Sequence, residues 1–168
     1  SNLIIGVYYL KQENYEQAKN YFLKLNQNKK SSISDILALS LNSWVDFKKL
    51  DEESAVRIIN SYPDNFGSLK KIQSTLVECF YDSKNVDKKF KKIISDKKVN
   101  FSRYNFFYAN YLFNNGDKKQ AINIVDQSLS LYPRNLILRQ LKNDLELNDK
   151  TSSSNQFECK KINHIIAE

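Results

Sequence analysis

Few of the residue types that carry out catalysis occur in this chain in combinations that could work together. Its 168 residues include a single histidine, His164, so neither a histidine-centred triad nor a multi-histidine metal site can be built from it. Asp51, Glu52 and Glu53 are consecutive, and consecutive helical residues point in different directions. They suit the negatively charged first turn of a helix better than a cation site. Cys79 and Cys159 stand 80 positions apart (159 − 79), without the spacing of metal ligands. Cys79 lies in an apolar helical run and reads as a small core residue, with a disulfide to Cys159 left open. Three glycines are too few and too scattered for a phosphate-cradling loop. No catalytic residue, cofactor site or metal ligand is expected, and enzyme is the weakest class.

Composition narrows the remaining classes. The net charge of +7 and pI near 9.2 bring nucleic acid and anionic membranes into view. The lysines, however, are spread in short doublets (Lys29-Lys30, Lys70-Lys71, Lys88-Lys89, Lys91-Lys92) amid abundant Asn and Ile, so a nucleic-acid footprint is disfavoured. No apolar run approaches the roughly 20 residues that span a bilayer. Hydrophobic residues at 41% are enough for a packed core, and 3 Gly with 2 Pro are too few for the tight turns of a sandwich or barrel.

The elements that remain are helices in pairs. Between Ser102 and Asn135, two apolar segments flank Asn115-Gly116-Asp117. Gly116 is expected to take the left-handed conformation ending one helix, and Asp117 to cap the next. Ala109, Ala121 and Ser128 are small where two helices would approach closely. Near the N-terminus, Tyr15, Ala18, Phe22 and Leu25 share one helical face, and Gly6 is expected where no Cβ would fit against the partner helix. Two further pairs are predicted between them. One runs from a start at Ser34 or Asp35 to Tyr62-Pro63, and the other from Phe66 to Ile94. Taking Ala18, Ala55, Phe90 and Ala121 as equivalent positions of the second helices gives separations of 37, 35 and 31, with Phe90 standing at a small-residue position. A further helix from about Asn135 to Leu147 offers Leu138, Leu141 and Leu145 to cover the last pair.

The residues Tyr108-Ala109, Leu112, Gly116-Asp117, Ala121, Val125, Ser128 and Pro133 resemble a tetratricopeptide repeat. Ile5, Gly6, Tyr9, Tyr15, Ala18 and Phe22 repeat that resemblance. It implies an all-α, right-handed superhelical stack of antiparallel helical hairpins, an α-solenoid without chemistry of its own. It also implies that first helices line the concave groove. Groove-facing positions would then be Leu3, Val7, Leu10 and Lys11, together with Arg103, Phe106, Asn110 and Phe113. Phe106, Asn110 and Phe113 lie on one helical stripe, and the Asn110 amide is expected to reach a peptide backbone. The Lys/Asn set that clamps a C-terminal carboxylate in some members is incomplete here.

The expected organisation is a repeat domain over 1–147 (about four hairpins and a covering helix), a polar linker over 148–156, and the start of a further helix at 157–168. Both ends read as those of a fragment. The string FECKKINHIIAE at 157–168 is similar to a junction in large periplasmic-type alphaproteobacterial members of the same family, which implies a bacterial and preferentially periplasmic setting. The expected function is a non-catalytic scaffold for a protein or peptide partner. The alternatives are a basic solenoid for nucleic acid, or an accessory domain of a larger enzyme or envelope assembly.

Overall fold

A computed structural model describes residues 2–25, 37–42, 45, 52–96, 101–147 and 158–159. Among these, every regular element is helical: α1 (Asn2–Lys11), α2 (Tyr15–Leu23), helical residues 37–42 (α3), α4 (Glu52–Asn60), a 3₁₀ turn at Asp64–Phe66, α5 (Gly67–Phe80), α6 (Val86–Ser95), α7 (Ser102–Asn114), α8 (Lys118–Leu131) and α9 (Leu136–Leu147). The all-α expectation holds. Ser34, Asp35, Asp51 and His164 lie outside the described residues, as do 148–157 and 160–168.

The turn between α1 and α2 and the turn between α7 and α8 close in the same way. Asn14 N–H donates to Tyr9 O at 2.9 Å, and Asp117 N–H donates to Leu112 O at 2.9 Å, each five residues back across a left-handed residue. Gly116 is that residue in the later turn, with φ 86°, as its lack of a Cβ predicts. Glu13 takes the role in the earlier one at φ 58°, and Asp82 has φ 56° at the end of α5, both against the steric preference of L-residues. Asp82 and Gly116 are 34 positions apart (116 − 82). Side-chain caps then open the second helices: Asp117 accepts from Gln120 N–H at 3.0 Å and Asn14 from Gln17 N–H at 3.2 Å.

Each second helix spends the same pattern on its core. Ala18, Phe22 and Leu25 recur as Ala55, Ile59 and Tyr62, as Val86, Phe90 and Ile93, and as Ala121, Val125 and Ser128, every set spaced by four and then three. Three of the leading positions are alanines with 0% exposure, and Val86 has 1%. Val86, not Phe90, is therefore the counterpart of the alanines, and the separations become 37, 31 (86 − 55) and 35 (121 − 86). Phe90 lines up with Phe22, Ile59 and Val125. Val86 stands four residues after Asp82, whereas Ala18 and Ala121 stand five after Glu13 and Gly116, so the set falls one residue earlier in this hairpin.

The chain divides between Tyr81 and Asp82 into two compact units. In the first, Leu10, Ala18 and Phe22 cluster with Leu41 and Val45, so α1 and α2 pack on the segment that follows them. A Cβ on Gly6 would meet the Phe22 ring, with Cδ1 2.6 Å away, which is the close approach expected of this glycine. The Tyr62 hydroxyl lies 2.9 Å from Ser40 Oγ, and α4 packs on α5. In the second unit, α7 packs on α6, α8 and α9. Leu138, Leu141 and Leu145 are buried, so α9 covers α8 and α7 as its apolar stripe predicts. Lys142 Nζ, 2.6 Å from Asp126 Oδ1, adds an ion pair between α9 and α8.

Neither cysteine is a free thiol. Cys79 and Cys159 are both disulfide-bonded, so the alternative that the spacing left open is the one realised. Cys79 is also buried, as expected of a core residue on α5.

Candidate partner-binding surface

A partner surface on helical hairpins is what the first helices leave over after packing. On α1, Leu3 and Val7 are half-buried against the cluster of Leu10, Phe22, Leu41 and Val45, and Lys11 is exposed. Leu10 is a full member of that cluster and offers no surface. The open side of α1 instead shows Ile4 and Tyr8, one helical turn apart, with Lys11 a turn further on. Sequence reasoning passed over Ile4 and Tyr8. Their signal was that α1 is apolar on nearly every side, more than one packed face can absorb. Next to them, the Tyr9 ring stacks on Tyr21 at 5.6 Å, and Lys24 Nζ lies 5.0 Å from the Tyr21 centroid.

The expected stripe of α7 is mostly inside the second unit. Phe106 is 3% exposed and Asn110 0%, so neither presents a surface, and the expectation of an open stripe through them is corrected. Asn110 Nδ2 donates to the Phe106 carbonyl of its own helix at 3.1 Å. Its amide serves the helix and not a peptide backbone. The cause is α9, which packs on α7 and brings Leu138 beside Phe106. Phe113, a turn beyond Asn110, remains half-exposed, and so does Arg103 in the first turn. The Arg103 guanidinium lies over two rings, 5.3 Å from the Phe106 centroid and 4.9 Å from that of Phe107. Beside it is a recess of about 70 Å³ lined by Ser102, Arg103, Phe106, Asn135, Ile137 and Leu138. Ile137 has no such signal in the sequence, because the apolar period of α9 marks only its buried leucines.

The other end of α7 is locked to α6. Tyr108 Oη donates to Asp87 Oδ1 at 2.8 Å, and Lys91 Nζ lies 2.7 Å from Asp87 Oδ2. Phe90 stacks on Tyr108 with centroids 5.3 Å apart. Burial pushes the Tyr108 hydroxyl well above the usual phenol range, and the Asp87 carboxylate adds to the shift. Burial also raises the Asp87 carboxyl, but the bonds from Lys91 and Tyr108 more than offset it and leave it lowered. This is an interhelical strap between α6 and α7. Among the described residues no group of three or more His, Cys, Asp or Glu is placed to hold a metal ion, and no helix is long and apolar enough to cross a membrane.

Paired helices with left-handed turns, small residues at the crossing and a covering final helix define an α-helical repeat protein. The tetratricopeptide repeat model matches residues 1–31 and 102–135, the two hairpins that share one turn geometry, and the chain is a tetratricopeptide-repeat-containing protein. Comparison with curated proteins and with solved structures gives no match.

Proposed function

We propose that this protein is a non-catalytic scaffold that holds a protein or peptide partner on the exposed sides of its first helices. Tetratricopeptide repeats are in general protein-interaction modules, and this chain contains two matched ones. The observation that carries the reading is how the repeats divide their residues. The second helices bury their recurrent apolar set, while α1 and α7 keep apolar, aromatic and cationic side chains within reach of a partner: Ile4, Tyr8 and Lys11, then Arg103 and Phe113. Such a mixture suits an extended or helical peptide.

The nucleic-acid alternative has less support. Among the described residues, exposed lysines occur on α1, α5, α6 and α8, and the largest group (Lys88, Lys91 and Lys92 on α6) has no exposed aromatic residue interleaved for base stacking. The disulfide favours an oxidising compartment, in line with the periplasmic expectation. The test is a peptide array probed with the whole chain. Binding should be weakened by Lys11→Glu or Phe113→Ala and not by Lys119→Glu, an exposed site on the second helix α8. Sub-micromolar binding of a defined RNA or DNA at physiological salt would overturn the reading.

A further inference from the structure

We infer that the open side of α1, formed by Ile4, Ile5, Tyr8 and Lys11, docks an amphipathic, acidic α-helix of a partner protein, which lies on α1 as α6 lies on α7. The inference rests on the scaffold reading and names the form and charge of its partner.

The two matched hairpins correspond residue by residue. The left-handed residues Glu13 and Gly116, the caps Asn14 and Asp117, and the buried alanines Ala18 and Ala121 all stand 103 positions apart (116 − 13, 117 − 14, 121 − 18). On that register Ile4, Ile5 and Tyr8 correspond to Phe107, Tyr108 and Tyr111. In α7 this side meets a helix: Phe90 of α6 stacks on Tyr108 with centroids 5.3 Å apart and lies 5.6 Å from the Tyr111 ring. Phe107 and Tyr108 are buried there. On α1 the corresponding side chains stay open, Ile4 at 69% and Tyr8 at 59%. The repeat shapes this side of a first helix to receive another helix, and among the described residues none fills it on α1.

The chemistry of the face also selects a helix. Ile4 and Ile5 offer no side-chain hydrogen-bonding atom and Tyr8 offers one hydroxyl. An extended peptide laid here would bury N–H and C=O groups without partners. A helix satisfies its own backbone and brings apolar side chains at matching spacing. Tyr8 is preset as an anchor, because its ring lies edge-on to Tyr9 at 5.6 Å and Tyr9 stacks on Tyr21 at 5.6 Å. Lys11 is exposed one turn beyond Tyr8, and none of the ten residues of α1 is acidic. On a chain of net charge +7, that lysine fits an acidic residue on the docked helix. A second copy of the chain fits less well. One side of a helix about 15 Å long falls short of the roughly 800 Å² that each partner buries in a stable interface.

The experiment is selection from a library of peptides of mixed helical and extended propensity, acetylated and amidated at their ends, against the whole 168-residue chain. Recovered peptides should share apolar residues at i, i+4 and i+7 with a Glu or Asp beside them, and should gain helical circular dichroism when bound. A proline placed within the stripe should abolish binding. Ile4→Glu and Tyr8→Ala should each weaken binding about tenfold or more, equivalent to about 1.4 kcal/mol. Lys11→Glu should weaken the acidic peptides, and replacing the peptide's Glu by Lys should restore part of the loss. If Tyr8→Ala lowers the melting temperature, Ile4→Glu at the more exposed site decides alone. Peptides that bind without gaining helix, or that tolerate the proline, would overturn the inference and leave the scaffold reading standing. Helical peptides indifferent to Ile4→Glu would do the same. Self-association of the chain that Ile4→Glu abolishes, or Ile4-dependent sedimentation with phosphatidylglycerol vesicles, would also overturn it. A library that yields no binder removes both readings.

Discussion

Phe106 and Phe113 lie seven positions apart on α7, and their surroundings differ although their sequence pattern does not. Phe106 is enclosed beside Leu138 and under Arg103, so Phe106→Ala should cost about 3–5 kcal/mol, as core aromatic truncations do. Phe113 is half-exposed, and Phe113→Ala should cost under about 2 kcal/mol because less area leaves the interior. Chemical denaturation of the two variants checks the contrast, and equal losses would place Phe113 in the core. Tyr108 carries a pH dependence of known sign. Its hydroxyl titrates higher in the folded protein than in the unfolded chain, so its contribution is complete below the unfolded phenol pKa and is lost as pH rises beyond it. The Asp87 carboxyl titrates lower when folded, so its contribution is complete above the unfolded carboxyl pKa and is lost as pH falls towards the folded value. Tyr108→Phe removes the bond between them at a cost of about 1 kcal/mol at neutral pH. It should also flatten the alkaline limb of a melting-temperature profile. An unchanged alkaline limb would show that the strap does not govern it.

At the scale of the helix, the recurrent buried set spaced by four and then three residues makes the repeat pack. Ala121 has no exposed surface where α8 crosses its neighbours, and Ala121→Leu should overpack the crossing by roughly 1–3 kcal/mol. A melting temperature that stays level or rises would mean the site has spare room. Much of this was legible. Asp117 as a cap, Gly116 as a left-handed turn, Gly6 at a close approach to the partner helix, and Leu138, Leu141 and Leu145 as a covering stripe all follow from local stereochemistry and period. The turn before α6 was not legible to the same depth. Asp82 adopts a conformation usually reserved for glycine, so no glycine marks where this turn lies, and Phe90 is matched with the wrong residues. A non-glycine residue in a left-handed turn leaves no compositional mark.

The disulfide acts at the scale of the whole chain. It joins positions 80 apart (159 − 79), and the loop-entropy model assigns a closure of that length about 4–5 kcal/mol. Reduction should therefore lower the melting temperature measurably. The denatured, unreduced chain should take up no alkylating reagent, and uptake of two equivalents before reduction would show that the bond is absent. The order of helices, the pairing of α1 with α2 and of α7 with α8, the small residues at their crossings and the scarcity of catalytic groups were determined by the sequence alone, because each depends on residues close to one another in the chain. Three features were decided only by the tertiary structure: the bonding of Cys79 and Cys159, the burial of Leu10, Phe106 and Asn110, and the recess that joins Arg103 to Ile137. All three bring together residues distant in sequence. Leu10 is covered in part by Leu41 and Val45, and Phe106 lies beside Leu138 of α9. A helix's own period sets which residues share a face, but its neighbours decide whether that face meets water.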